Sequence, residues 1–368
     1  MLIGISGTLS SGKTEVARYL TFQGFKLISF KSKIVEENTG NDSIEDISTP
    51  SNSGDSAEDL VEGKIVNSID KYQPFDSDGN YDYYSSLEVF LTFDDLDKLI
   101  DYVTINWRNN FVISHIDNID TLLALKKRPF FLHISIDAPI LLRYNRYVLR
   151  NSFKHSNYLS LEQFILKNDQ LIFKVENPLI EINNQAQVKI INTSSSIKNL
   201  YIKLSELNLL DFSRLRPTWD SYFMRLADLA ALRSNCMKRR VGCVIVRSNT
   251  VIATGYNGTP RHLTNCNEGG CERCNQGQGS GSSLSTCLCL HAEENALLEA
   301  GRDRIRDNSV LYCNTCPCLT CSIKIVQSGI REVVYAQSYS MDSASHKVMS
   351  EANIILRQFQ PPTDGIFI

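Results

Sequence analysis

His291-Ala292-Glu293, followed 24 residues after the glutamate by Pro317-Cys318-Leu319-Thr320-Cys321, is the stretch on which the reading of this chain turns. Cys318 and Cys321 are three apart, so on a helix they share one face. Pro317 fits the first helical position, where a missing N–H costs nothing. His291 opens a second helical segment, 291–300. Two positive helix ends would then face one metal ion and lower the pKa of the thiols. Two thiolates and a neutral imidazole cancel the charge of Zn²⁺ and leave its fourth position for water. Water held there ionises near pH ~7. Glu293 stands two residues beyond His291 and points elsewhere, so it is available to carry protons rather than bind the metal. A closed structural zinc site is the plain alternative, but it needs four protein ligands and has no use for the glutamate.

The surrounding pattern is α/β. Arg216-Pro217 marks a domain boundary, because the residue before proline is pushed out of helical geometry. Thr218 caps a helix over 219–234, with Tyr222, Leu226, Leu229, Ala230 and Leu232 as its apolar residues. Strands over 241–247 and 251–254 flank a Ser248-Asn249 turn. A loop rich in cysteine and glycine covers 256–290. Beyond it come a helix at 291–300, a strand at 310–313, a helix at 317–328, a strand at 332–336, a helix near 345–352 and a strand at 354–359. A three-layer α/β/α domain over 217–368 follows.

H-x-E followed by P-C-x-x-C is the signature of zinc deaminases. In that chemistry water attacks C4 of a cytosine ring, and Glu293 passes protons to N3 and to the departing ammonia. Residues 218–360 resemble the deoxycytidylate deaminase family, in its fungal form, through SNCMKRRVGCVIV at 234–246, TGYNGTP at 254–260, LCLHAEENALLEAGR at 288–302, LYCNTCPCLTC at 311–321 and SGIREVVYAQSY at 328–339. The specific match covers about two fifths of the chain. The resemblance implies hydrolysis of dCMP to dUMP, the precursor of thymidylate. It implies His291, Cys318 and Cys321 as zinc ligands and Glu293 as the proton carrier. It also implies substrate or effector contacts from Gly255, Tyr256, Asn257 and Gly258, and from Arg302, with weaker indications at Tyr335 and Tyr339. Asn-Gly is equally a strong turn signal, and Arg302 equally an exposed residue at a helix end. A hexamer activated by dCTP and inhibited by dTTP is implied by resemblance alone.

All 11 cysteines of the 368-residue chain lie between Cys236 and Cys321. Met1 leads straight into an apolar strand pattern, with no signal-peptide character. Clustered thiols in a cytoplasmic protein (nuclear entry stays open) read as metal ligands rather than disulfides. Six of them fall outside the catalytic motif and its flanks. A structural zinc would pin the 256–290 loop. Cys236, Cys266, Cys271 and Cys289 are the favoured set, and Cys274 or Cys287 can replace either of the last two. Microbial and phage members of the family carry a comparable second zinc. Free or buried thiols are the alternative. Cys243, Cys313 and Cys316 read as strand or rim residues.

The first 212 residues read as a parallel-sheet domain. Gly7-Thr8-Leu9-Ser10-Ser11-Gly12-Lys13-Thr14 matches G-x-x-x-x-G-K-[ST] in full, after a strand and at the start of a helix. Gly7, Gly12 and Lys13 would cradle phosphates, and Thr14 would hold Mg²⁺ with a nucleoside triphosphate. The domain resembles P-loop nucleotide kinases, with Arg143, Arg146 and Arg150 on a lid-like helix after Pro139. It departs from them in having no clear Walker-B acid, Asp117 being the nearest. Residues 36–101 hold 18 acidic residues against 3 lysines, and the part near 36–80 reads as a disordered insertion. Helical spacing runs from Leu87 to Tyr102. A regulatory nucleotide site, a working kinase and a relic scaffold all remain open.

No apolar run approaches the ~18 residues a membrane span needs. The net charge of -3 disfavours a polyanion-binding surface. A free nucleotide is therefore favoured over a deaminase acting on tRNA or DNA. An inactive nucleotide-sensing fold is disfavoured by the intact Glu293.

Overall fold

The computed structural model describes residues 1–30, 87–153, 158–277, 286–338, 342–360 and 365–367. The acidic insertion expected near 36–80 and Tyr339 lie outside them. The chain divides into two units, one of Met1–Leu215 with the C-terminal strand, the other starting at Arg216.

The first unit holds β1 (Leu2–Gly7), β2 (Lys26–Phe30), β3 (Leu91–Phe93), β4 (Phe111–Ile113), β5 (Phe131–Asp137) and β6 (Val188–Ile191). They form a sheet in the order β6-β5-β1-β4-β2-β3, with every described pairing parallel. Both faces are covered. Ile3 and Ile5 of β1 pack with Val16 and Leu20 of the Lys13–Phe22 helix and with Leu200 and Leu204 of the Ile197–Leu207 helix. Leu2 points the other way, toward Leu99, Val103 and Leu122. That two-sided burial is why these strands read as continuous apolar runs. β1 is central, so the loop after it opens at the point where the strand order reverses.

Two expectations are corrected here. Helical spacing from Leu87 to Tyr102 becomes β3 followed by a helix, Leu96–Ile105. Asp95 caps that helix by accepting from the backbone N–H of Asp97 and Lys98, so the helix cannot extend further back. Domain two was drawn to 368, yet Gly365–Phe367 pairs in parallel with β6 and joins the first sheet.

The second unit holds β7 (Gly242–Arg247), β8 (Thr250–Tyr256), β9 (Val310–Thr315), β10 (Glu332–Gln337) and β11 (Ile355–Gln358), ordered β11-β10-β9-β7-β8. β7 runs antiparallel to both neighbours, and the others are parallel. Ser248 and Asn249 both take positive φ in the β7–β8 turn, as a tight hairpin needs. Val244 and Val246 face Phe223, Met224 and Ala227 of the Trp219–Ala231 helix. Cys243 and Ile245 face the helices Ala292–Ala300 and Leu319–Ser328. The result is three layers.

Of the apolar residues read on Trp219–Ala231, Leu226 packs against the core on this side of the sheet. Tyr222, Leu229 and Leu232 are exposed, while Phe223, Met224, Ala227 and Ala231 are buried. Gly242 accounts for the choice: a Cβ there would lie 1.9 Å from the Ala227 carbonyl oxygen, so the helix sits against β7 on its small-residue side. No helix among the described residues is long and apolar enough to cross a membrane.

His133 is fully buried in β5. Ser6 Oγ donates to Asn183 Oδ1 at 2.7 Å and lies 2.9 Å from His133 Nε2, so the ring donates to Ser6 through Nε2. Nδ1 has no partner among the described residues. Burial, and then the charge of Lys126, pushes the pKa of this histidine down to about 4. Above pH ~6.5 the ring is neutral folded or unfolded and has no effect on the balance. As pH falls from ~6.5 toward 4, the unfolded chain takes a proton that the fold refuses, and stability drops by on the order of 3 kcal/mol. His133→Gln should flatten this part of the profile. The check is the urea midpoint of variant and wild type across that range.

Candidate active site and metal centre

Two helices begin at the same point. His291 is the N-cap of Ala292–Ala300, and Cys318 is the N-cap of Leu319–Ser328. Pro317 therefore lies one residue before the cap, not at the first helical position as expected. Ser, Thr, Asp and Asn dominate N-caps because their oxygens accept the free backbone N–H groups. Neither His291 nor Cys318 makes a side-chain cap bond. Both side chains turn toward Cys321 in the first turn of the second helix, and the three form one possible ligand set.

His291 Nδ1 lies 3.3 Å from each of Cys318 Sγ and Cys321 Sγ. A tetrahedral zinc with ordinary bond lengths has an N···S edge of about 3.5 Å. The donor set thus fits zinc in chemistry and in spacing, with one position left over. The hydrogen bond from Cys321, and next the one from His291, holds the Cys318 thiol down at about 3. Its hydrogen bond to Cys318 pushes His291 up to about 9. The same bond between the two thiols is the chief cause that raises Cys321. A divalent cation would take the place of these protons.

Glu293 sits one turn-step into the His291 helix and is buried, 4% exposed. Burial raises its carboxyl pKa, opposed by the nearby His291. On the outer side, Lys324 pairs with Glu294 at 2.5 Å and ties the two helices together.

The GYNG stretch holds this arrangement from behind. A Cβ at Gly255 would come within 2.2 Å of the Ala292 carbonyl oxygen, so β8 packs directly on the His291 helix. Tyr256 offers its carbonyl to Asn295 Nδ2 at 3.0 Å. Gly258 and Leu290 exchange backbone hydrogen bonds at 3.1 and 2.8 Å, which fixes the residue before His291. Asn257 is buried. Its Oδ1 accepts from Ser234 Oγ and Val241 N, and its Nδ2 donates to Arg239 O. Three of its four hydrogen-bonding positions are thus taken by the protein. Arg302 is exposed and lies past the far end of the His291 helix, beyond the turn at Gly301. Tyr335 is buried in β10.

The favoured structural set of Cys236, Cys266, Cys271 and Cys289 is not one group, but the replacement left open, Cys274 for Cys271, does form one. Cys236, Cys266 and Cys289 converge with Cys274, whereas Cys271 groups with Cys274, Cys287 and Cys289. Asn235 was not singled out in the sequence. It accepts from Thr259 N and donates to Asn265, joining the GYNG loop to the thiol loop. Only its position beside Cys236 could have marked it.

A family profile described as the cytidine and deoxycytidylate deaminase zinc-binding region matches residues 217–337. The deoxycytidylate deaminase of Schizosaccharomyces pombe is 53% identical over 302 residues, covering 82% of this chain and 92% of its own. This chain belongs to the deoxycytidylate deaminase family. The deoxycytidylate deaminase of Saccharomyces cerevisiae is also 53% identical, over 278 residues, covering 72% of this chain and 86% of its own. The deoxycytidylate deaminase of Mycobacterium phage D29 is 41% identical over 125 residues, which is 33% of this chain but 95% of the phage protein. The yeast alignments are longer than the second unit, so they take in much of the first as well. The phage member of the family has no room for such a unit.

In the first unit, Gly12 takes φ 113 as the cap of the Lys13–Phe22 helix, a conformation glycine adopts without penalty. Lys13 Nζ donates to the carbonyls of Gly7 and Thr8, both at 2.8 Å. Burial, then the charges of Arg150 and Arg143, lowers this lysine to about 8. A cavity of about 230 Å³ is lined by Ser10, Lys13, Thr14, Arg146 and Arg150, among others. Ser10 Oγ in this loop is buried with no partner among the described residues. Asp117 is exposed and paired with His115. Asp137, at the end of β5, accepts from Thr8 Oγ1 of the loop. Asn192, missed in the sequence, donates to Ser11 O. Arg143 is committed to Ala138 O and Asn168.

Gly255→Ala should drive β8 from the His291 helix. Overpacking of this kind costs about 1–3 kcal/mol. The expected outcome is a lower denaturation midpoint together with faster loss of zinc to a chelator, followed with a metal-sensitive dye.

Proposed function

We propose that this chain hydrolyses dCMP to dUMP and ammonia. The observation that carries the reading is the meeting of His291, Cys318 and Cys321 at two helix starts, with buried Glu293 beside them. Zinc held by these three groups supplies the Lewis acidity that makes water nucleophilic near neutral pH. Glu293 would accept one proton of water and donate it to N3 of the ring, then take the second from the new C4 hydroxyl and pass it to the leaving amine, so that water and dCMP become dUMP and ammonia with nothing left over. Its raised pKa suits both halves of the exchange. The helix N-termini favour the thiolate form of Cys318 and Cys321. Gly255 and Gly258 serve by setting the position of Leu290 and His291. Asn257 would hold that loop, and Tyr256 is the member of the stretch left to meet a nucleotide. The thiol cluster upstream takes zinc in a structural role.

Thymidylate precursor supply, a cytoplasmic setting, activation by dCTP, inhibition by dTTP and assembly as a hexamer complete the proposal. Exposed Trp219, Tyr222, Leu229 and Leu232 on one helix support association with further copies. Arg302, exposed and far along the chain from His291, suits an effector or a neighbouring copy better than the substrate of its own site.

The test is ammonia release from dCMP, CMP, cytidine and a stem-loop RNA, each with and without dCTP and dTTP. Glu293→Gln should keep its zinc and lose activity by about 10²- to 10⁴-fold or more. Turnover of RNA alone, or of nothing, would overturn the reading.

For the first unit the proposal is a P-loop nucleotide site. Lys13 would neutralise phosphate, Gly7 and Gly12 would shape the loop, and Thr14 would hold Mg²⁺. What supports it is the cavity, the depressed Lys13 and the unpartnered Ser10 hydroxyl. An anion there would relieve the repulsion between Lys13 and its two arginines. Asp137 suits the acidic position better than Asp117, because it touches the loop. Regulation is favoured over kinase activity, since Arg143 is tied into the protein. Lys13→Ala should abolish ATP binding measured by calorimetry, and unchanged binding would sink this reading.

A further inference from the structure

Cys236, Cys266, Cys271, Cys274, Cys287 and Cys289 form a cluster of their own. No valine, leucine, isoleucine or aromatic side chain belongs to it among the described residues. The loop therefore brings five sulfurs, joined by Cys236, to a place where a folded segment would have an apolar core. A segment with so little to bury needs another source of cohesion.

The sulfurs fall into two groups of four, each within 4.8 Å throughout, and Cys274 and Cys289 belong to both. Cys274 Sγ lies 3.8 Å from Cys236 Sγ, 3.9 Å from Cys287 Sγ and 3.9 Å from Cys289 Sγ. Cys271 Sγ lies 3.9 Å from Cys287 Sγ. Four sulfurs around one zinc at ordinary bond length stand about 3.8 Å apart. The spacing matches two tetrahedra that share an edge. It is far longer than the ~2.05 Å of a disulfide. Backbone N–H groups of Met237 and Leu288 donate to Cys266 Sγ and Cys271 Sγ, as suits thiolates.

We propose that this cluster binds two divalent zinc-like ions, with Cys274 and Cys289 each bridging both. Cys236 and Cys266 complete one coordination shell, and Cys271 and Cys287 the other. Six thiolates then satisfy eight metal–sulfur bonds and carry a net charge of -2 with the two cations. A two-iron cluster is a poorer fit, because it uses four cysteines, and here protein sulfurs occupy the shared edge. Binding releases the thiol protons to solvent. Cys289 is two residues before His291, and Leu290 between them is fixed by Gly258. The cluster thus anchors the chain where it enters the active site.

The test is the zinc content of the full chain purified under reducing conditions. Three zinc ions per chain are expected, falling to two in His291→Ala, which removes a ligand of the catalytic site only. Two in the wild type would overturn the proposal, as would a metal-free cluster. The bridge is tested separately by replacing zinc with ¹¹³Cd. Two all-sulfur resonances, each split by the other through the shared thiolates, are expected. Two unsplit resonances would mean separate ions and would overturn the bridging assignment.

Discussion

Two helix N-termini and one strand have to meet within a few ångströms, and the second unit is arranged around that requirement. His291 and Cys318 stand where a helix ordinarily places a capping oxygen, and neither caps. Each helix gives up a stabilising contact worth roughly 1 kcal/mol. In exchange, an imidazole and two thiols are directed at one point, with positive helix ends behind them. A metal ion there ties the two helices together, and Glu293 is buried by the same packing. Gly255 makes the close approach of β8 tolerable, and the Gly258–Leu290 bridge sets the height of His291.

The thiol loop solves a different problem by related means. It carries few large apolar residues, and five of its sulfurs gather with Cys236 in a cluster that holds no aliphatic or aromatic side chain among the described residues. Metal coordination is the available substitute for hydrophobic cohesion in such a segment. Asn235 and Asn257 carry that order into the GYNG loop through hydrogen bonds. The amide of Asn257 is consumed in this work. Its place in a motif associated with nucleotide contacts therefore reflects loop shape as much as recognition.

The first unit shows how far a local motif can be read. G-x-x-x-x-G-K-T gave its strand, its loop and its helix, and the sheet bears out the parallel pattern. The surroundings of the loop came from far along the chain. Asp137 and Asn192 reach it from the ends of β5 and beyond β6. Asp117, nearer in expectation, is exposed on His115 instead.

What the sequence determined by itself was local chemistry. Its period and spacing set most strands of both sheets, though not β3 or the C-terminal strand, the helix that opens at His291, and the trio of His291, Cys318 and Cys321. Those features depend on neighbours a few residues away, so they are legible without a fold. Tertiary structure alone decided that Ala227 and Ala231 meet β7 while Tyr222, Leu229 and Leu232 stay exposed, because the helix backbone comes within 1.9 Å of where a Cβ at Gly242 would stand. It decided that Gly365–Phe367 leaves its own domain for the edge of the first sheet. It also decided which of the six cysteines meet, since Cys236 and Cys289 are more than fifty positions apart and spacing along the chain carries no information about which sulfurs come together.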